Sequence, residues 1–104
     1  MTDITLDRER IINLAKSRSK KLDGIDYSYD PEFDVLRLQV GDTYGLVGSY
    51  AGENVYVILD GNHFVYAEIY GFLNKYSIDE YKAAITNRKV IKSLPEIYKR
   101  LSSD

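Results

Sequence analysis

From residue 25 to residue 72 apolar side chains recur at every second position, and at Tyr76 the spacing lengthens to that of a helix. A period of two is satisfied only by strands whose alternate side chains share one face, so this stretch restricts the fold more than any other. Ile25, Tyr27 and Tyr29 alternate with Asp26 and Ser28. After a turn at DPEFD, Leu36, Leu38 and Val40 alternate with Arg37 and Gln39. Gly41-Asp42 turns the chain again, and Tyr44, Leu46 and Tyr50 continue on a third strand. Gly45 and Gly48 inside that strand point to a bulge or a close backbone approach. A further turn at 51–54 leads into VYVILD, which meets Gly61-Asn62 and then HFVYAEIYGF, a hairpin signal. The pattern predicts five short antiparallel strands joined as a meander over 25–72.

Helical patterns flank this segment. Residues 3–23 are expected to form a helix capped by Asp3 or Thr5, with an apolar stripe of Ile11, Ile12, Leu14, Ala15 and Leu22 and a stop at Gly24. Its other positions, including Arg8, Arg10, Lys16, Arg18, Lys20 and Lys21, are strongly basic. At the other end, Ser77-Ile78-Asp79-Glu80 reads as a capping box, and Tyr76 and Tyr81 stand where a hydrophobic staple needs them. A helix over 77–88 follows, then a shorter one over 94–102 opened by Ser93 and Glu96, with Pro95 in its first turn and Ile97, Tyr98 and Leu101 on its apolar face. The expected fold class is α+β: a five-stranded antiparallel meander sheet with an N-terminal helix and two C-terminal helices packed on it, in one domain spanning 1–104.

Both faces of that sheet carry large side chains. Val65, Ala67 and Ile69 are expected on one side of the last strand, with Phe64, Tyr66, Glu68, Tyr70 and Phe72 on the other. Either helices cover both faces, or one face meets a second subunit, so a homodimer is expected. Ten tyrosines in 104 residues suit an aromatic, partly wet interface.

Composition narrows the function classes. With 44% hydrophobic and 29% charged residues the chain can build one real core. No apolar run approaches the roughly 18 residues that span a bilayer. MTDITLDRER lacks the basic-then-apolar order of a signal peptide, so a cytoplasmic location without membrane association is expected. With no cysteine there is no disulfide, no thiol chemistry and no cysteine-bound zinc. Charge is segregated: residues 25–71 carry eight acidic side chains and one basic, Arg37, while both flanks carry an excess of Lys and Arg. The flanks therefore either complement the acidic middle or present a separate basic surface.

The acids of DPEFD resemble the start of a calcium loop, yet counting from Asp30 puts Val35 where glycine is required and Gly41 where a bidentate glutamate is required. They read instead as turn chemistry: Pro31 sets φ, Asp30 accepts from backbone amides ahead of it, and Asp34 opens the next strand. The one histidine, His63, follows the Gly61-Asn62 turn and reads as an exposed hairpin residue, and GLVGSYAG lacks the lysine of a phosphate loop. No cofactor and no metal site is expected. Glu68 is the acid of most interest, beside Tyr66 and Tyr70 and within reach of Arg37 or a helix lysine. Nucleic-acid binding would rest on Arg10, Lys16, Arg18, Lys20 and Lys21, against a sequence pI near 5.4 and an acidic sheet.

YSYDPEFDVLRLQV, continued by VYVILDGNHFVYAEIYGF, resembles the domain of unknown function 2283 family of small prokaryotic proteins. Tyr27, Tyr29, Asp30, Asp34, Leu36, Asp60, Glu68 and Ile69 match its pattern, over about residues 25–72. Ala67 stands where the family often has glycine, and the helical ends lie outside the shared pattern. The family carries no assigned reaction, and some members lie beside toxin-like genes, which implies a binding or antitoxin-like role. The expected function is a noncatalytic protein-binding module that engages a basic protein partner through Tyr56, Tyr66, Glu68 and Tyr70. The alternatives are the nucleic-acid binder above and a small ligand-binding protein or enzyme built around Glu68.

Overall fold

In the computed structural model, which describes residues 20–103, the period-two segment forms one antiparallel sheet and the later segment forms two helices. The strands are β1 (Lys20–Leu22), β2 (Ile25–Asp30), β3 (Val35–Gln39), β4 (Gly48–Tyr50), β5 (Val55–Asp60) and β6 (His63–Tyr70). The helices are α1 (Ile78–Ala84) and α2 (Arg88–Ser102). The class is α+β, with six strands where five were expected, and both helices follow the sheet among the described residues.

The extra strand corrects the end of the expected N-terminal helix. Its positions 3–19 lie outside the described residues, but Lys20–Leu22 is extended and pairs antiparallel with β2, Leu22 opposite Ile25. Asp23 and Gly24 both have positive φ, 53° and 80°. Two consecutive positive φ values between strands make a type I′ hairpin turn, for which Asp-Gly is a preferred sequence. A helix stop needs only one such residue, at Gly24; the second, at Asp23, marks the hairpin.

The strand order is β1-β2-β3-β6-β5-β4, so the sheet is not a simple meander. After β3 the chain crosses to the far edge through residues 40–47 and returns as two hairpins until β6 pairs with β3, a Greek-key arrangement. Leu46 in the crossing segment packs on Ile58, Val65 and Tyr66, so the connection follows the sheet instead of leaving it. The expected third strand over 44–50 shrinks to Gly48–Tyr50, and Tyr44 and Val47 stay exposed in the crossing.

Side-chain alternation holds along β6 except at one point. Ile58 pairs with Tyr66 while Leu59 pairs with Phe64, which leaves Val65 as an extra residue. The bulge returns Phe64 to the helix-covered face beside Ala67 and Ile69, and it sends Val65 to the opposite face with Ile58 and Tyr66. Phe72 also joins the helix side, because the chain turns at Gly71, φ 70°. The expected sides of Phe64, Val65 and Phe72 are therefore reversed; those of Tyr66, Ala67 and Ile69 hold.

The core lies between the sheet and the helices. Ile25, Tyr27, Leu36, Leu38, Val55, Val57, Ala67 and Ile69 from the strands meet Tyr81 and Ile85 and the Val90, Leu94, Ile97 stripe of α2. That stripe advances by four and three residues, the spacing of one helix face. Ser77 caps α1, its hydroxyl accepting from the Glu80 amide at 3.3 Å, and Tyr76 packs edge-on against Tyr81 at 5.6 Å as the staple requires. Phe72 and Tyr98 complete that ring cluster. The two helix boundaries differ from expectation. Helix α1 ends at Ala84, and Asn87 caps α2 by accepting from the Val90 amide at 3.0 Å. Ser93 is buried inside α2 and donates back to the Val90 carbonyl at 2.7 Å, so it is no cap, and Pro95 stands well inside the helix.

Candidate functional site

The sheet face away from the helices is ordered in rows by the strand register. One row runs Ser28, Arg37, Glu68, Tyr56, Tyr50 across five strands. The next runs Asp26, Gln39, Tyr66, Ile58, Gly48, and a third holds Asp30, Val35 and Tyr70. Glu68 thus sits in the middle of the face with a cation on one side and tyrosines on the others.

A carboxylate in that position is costly unless it is hydrogen-bonded and paired. Glu68 is 2% exposed, and both its oxygens accept from phenols. The Tyr66 hydroxyl donates to Oε2 at 2.5 Å and the Tyr70 hydroxyl donates to Oε1. Arg37 Nε lies 3.9 Å from Oε2, near enough for charge attraction but too far for a hydrogen bond, and this buried nitrogen makes no hydrogen bond among the described residues. Charge-assisted bonds of this kind fix the rotamers of both phenols. Glu68 therefore acts here as an anchor for the tyrosines.

Two further rings lie over the outer strands. The Tyr56 ring occupies the space above Gly48, where a Cβ would collide with its phenol end. Tyr50 packs edge-on against Tyr56 at 5.3 Å and at 6.4 Å from Tyr70. Of the four residues expected to meet a partner, the structure brings all together but buries two: Tyr66 is 1% exposed and Glu68 equally inaccessible, while Tyr56 and Tyr70 are half-buried. The exposed ring is Tyr50, at 62%. The period-two pattern assigned it to a strand, and only the pairing of β4 with β5 places it beside Tyr56.

The basic residues expected to bind nucleic acid divide. Arg10, Lys16 and Arg18 lie outside the described residues. Lys20 and Lys21 are on strand β1, not on a helix, and Lys21 pairs with Asp26 across the hairpin at 3.5 Å. His63 is exposed opposite Asp60 beside the Gly61 turn, as expected of a hairpin residue. Among the described residues no group of three or more His, Asp or Glu side chains is arranged to hold a metal, and no helix is long and apolar enough to cross a membrane. A cleft of about 450 Å³ opens at the β1–β2 end, lined by Lys20, Tyr27, Ser28, Tyr29, Pro31, Leu73 and Leu101.

The DPEFD stretch has a second role that turn chemistry alone does not suggest. Asp30 Oδ1 accepts from the Glu32 and Phe33 amides, the expected turn. Asp34, at φ 55°, reaches across to the turn that follows β6. Its Oδ1 accepts from the Tyr29 hydroxyl at 2.6 Å and the Leu73 amide at 2.9 Å, and its Oδ2 from the Asn74 amide at 3.0 Å. Its carbonyl accepts from the Gly71 and Phe72 amides. Desolvation, the largest influence on the Asp34 carboxyl, pushes its pKa up, but the bonds from Tyr29, Leu73 and Asn74 together hold it below the ordinary value. Tyr29 is pushed up to about 12, first by burial and then by its bond to Asp34. Asp34 is thus a bracket between two turns, and its partners at 73 and 74 are too distant in sequence for local pattern to reveal.

The chain matches no family model, no curated protein and no solved structure in the comparisons with known proteins.

Proposed function

We propose that the protein is a noncatalytic protein-binding module that uses the tyrosine face of its sheet. The observation that carries this reading is the exposed Tyr50 ring, packed against Tyr56 and Tyr70, with Tyr70 anchored through Glu68. Rings held by buried hydrogen bonds lose little entropy when a partner covers them, which is what makes tyrosine effective at interfaces. Burial of Glu68 under two phenols disfavours its use in proton transfer or ligand capture.

The partner is basic on this reading. Among the described residues Asp26, Asp30 and Glu68 outnumber the cations of the same face, where Arg37 faces Glu68 and Lys21 pairs with Asp26. The resemblance of residues 25–72 to the domain of unknown function 2283 family supports an antitoxin-like or mobile-element-encoded regulator, and the large side chains on both sheet faces support a homodimer. Affinity purification from the native host tests it, with wild-type protein compared with Tyr50→Ala and Asp26→Lys. A basic partner retained by wild type and lost from both variants is expected. Equal capture by all three would remove the face from the interface. A gel shift with nucleic acid, abolished by salt and insensitive to Tyr50→Ala, would replace this reading with the nucleic-acid one.

A further inference from the structure

The two edges of the sheet are built differently. Strand β1 carries Lys20 and Lys21, the kind of charge that keeps an edge from pairing with another chain. Strand β4 lies at the other edge, and the segment 43–52 around it, TYGLVGSYAG, has no charged residue and no proline. Three of its side chains are exposed apolar groups: Tyr44 at 90%, Val47 at 88% and Tyr50 at 62%.

The backbone of β4 has a definite polarity. The Ala51 amide donates to the Val55 carbonyl at 2.8 Å, so position 51 points inward to β5, and by alternation so does Ser49. Gly48 and Tyr50 therefore direct their N–H and C=O groups outward, away from the sheet. These two residues are symmetric about Ser49, so an antiparallel copy of β4 placed about a two-fold axis at Ser49 sets Gly48 opposite Tyr50 of the other copy. Each outward N–H then meets an outward C=O, four main-chain hydrogen bonds in all. The register also sets each Tyr50 ring opposite a residue without a side chain.

We propose that β4 is a self-pairing edge, and that a second copy of this chain binds there to give one continuous twelve-stranded sheet. The absence of charge over 43–52 selects a second copy over a charged peptide: no group there would recognise one, and no like charges meet across the two-fold axis. The two tyrosine faces fall on the same side of the joined sheet, so pairing extends the face described above without covering it from the front. With three paired residues and one exposed tyrosine from each copy, the contact is small for a protein interface. Self-association with a Kd on the order of 10–100 µM is expected.

The test is sedimentation equilibrium of the full chain over a wide concentration range, with amide hydrogen exchange at both extremes. The mass is expected to rise from 12.0 kDa towards twice that value. The outward amides of Gly48 and Tyr50 are expected to gain protection at high concentration, while those of Ser49 and Ala51 are protected throughout. Tyr50→Lys, which sets like charges near the axis on an exposed position, is expected to weaken association at least tenfold. Lys20→Ala, at the opposite edge, is expected to leave it unchanged. A monomer at every concentration overturns the proposal. So does a dimer in which Gly48 and Tyr50 exchange independently of concentration, or one that Tyr50→Lys leaves intact.

Discussion

Replacing Asp34 by asparagine separates the charge of the bracket from its backbone conformation. Asn tolerates the positive φ at this position as well as Asp does, so the turn itself is not strained by the change. One amide oxygen can still accept from Tyr29 and Leu73, but the new NH2 group faces the Asn74 amide, donor against donor. The change removes one bond to a charged acceptor and weakens two others. Such bonds contribute about 1.5–3 kcal/mol each, and the half-exposed setting puts the expected loss near 2 kcal/mol. With a urea m-value of about 1.3 kcal/mol/M, the midpoint should fall by about 1.5 M at unchanged m. Tyr29→Phe should cost about 1 kcal/mol, and the double variant should show a coupling of about 0.5–1 kcal/mol because both changes remove the same bond. The effect has a pH signature. Since the folded Asp34 pKa is depressed, its contribution is fully present above the ordinary carboxyl value and is lost as pH falls through the folded one. The gap between wild type and Asp34→Asn should therefore narrow below about pH 4. A loss under about 0.5 kcal/mol, or a gap that stays constant in acid, would show that Asp30 and Pro31 hold the turn without the bracket.

Three other outcomes are expected. Gly48→Ala should cost about 1–3 kcal/mol, because the new methyl displaces the Tyr56 ring, and near-UV circular dichroism should report the displaced ring. Glu68→Gln should cost about 2–4 kcal/mol by leaving Arg37 without its counter-charge and one phenol facing an NH2 group, while Arg37→Met combined with Glu68→Leu should recover part of that loss in denaturant titrations. Tyr29 and Tyr81, both pushed up to about 12 chiefly by burial, should ionise late in a tyrosinate absorbance titration, and Tyr29→Phe should remove one late-titrating group. Their raised values contribute stability that is complete below about pH 10 and is lost as pH climbs to 12.

The sequence was most informative where one local rule decided the outcome. Ser77 with Glu80 and Tyr76 with Tyr81 marked the start of α1, and alternation along 25–39 marked two strands and their turn. It misled where one residue satisfies two rules. Gly24 suits a helix end and a hairpin equally, and the neighbouring Asp23 decided for the hairpin only once both φ values were positive. Ser93-Leu94-Pro95-Glu96 has the form of a cap, but Asn87 starts the helix six residues earlier and buries Ser93 inside it. Strand order was not legible, since the turn signals around 41–48 are the same for a meander and for a crossing segment. The Val65 bulge was hidden because an added residue changes the side of Phe64 without changing composition. At the candidate site, the proximity of Tyr66, Glu68 and Tyr70 follows from alternation alone. That Tyr66 packs with Ile58, Leu46 and Tyr56, and that Glu68 faces Arg37, follows only from the pairing of neighbouring strands.

The strand order also divides the sheet into two halves with mirrored connections. Strands β1 to β3 are joined by loops of two and four residues, and β4 to β6 by loops of four and two. Each half closes through short loops and can assemble in microseconds. The seam between β3 and β6 must instead wait for the 40–47 crossing and for both hairpins of the second half. The folding barrier of this chain is thus concentrated in one line of pairings. Truncations at Leu36, Leu38 or Ile69 should slow folding, whereas changes on the outer strands should chiefly hasten unfolding.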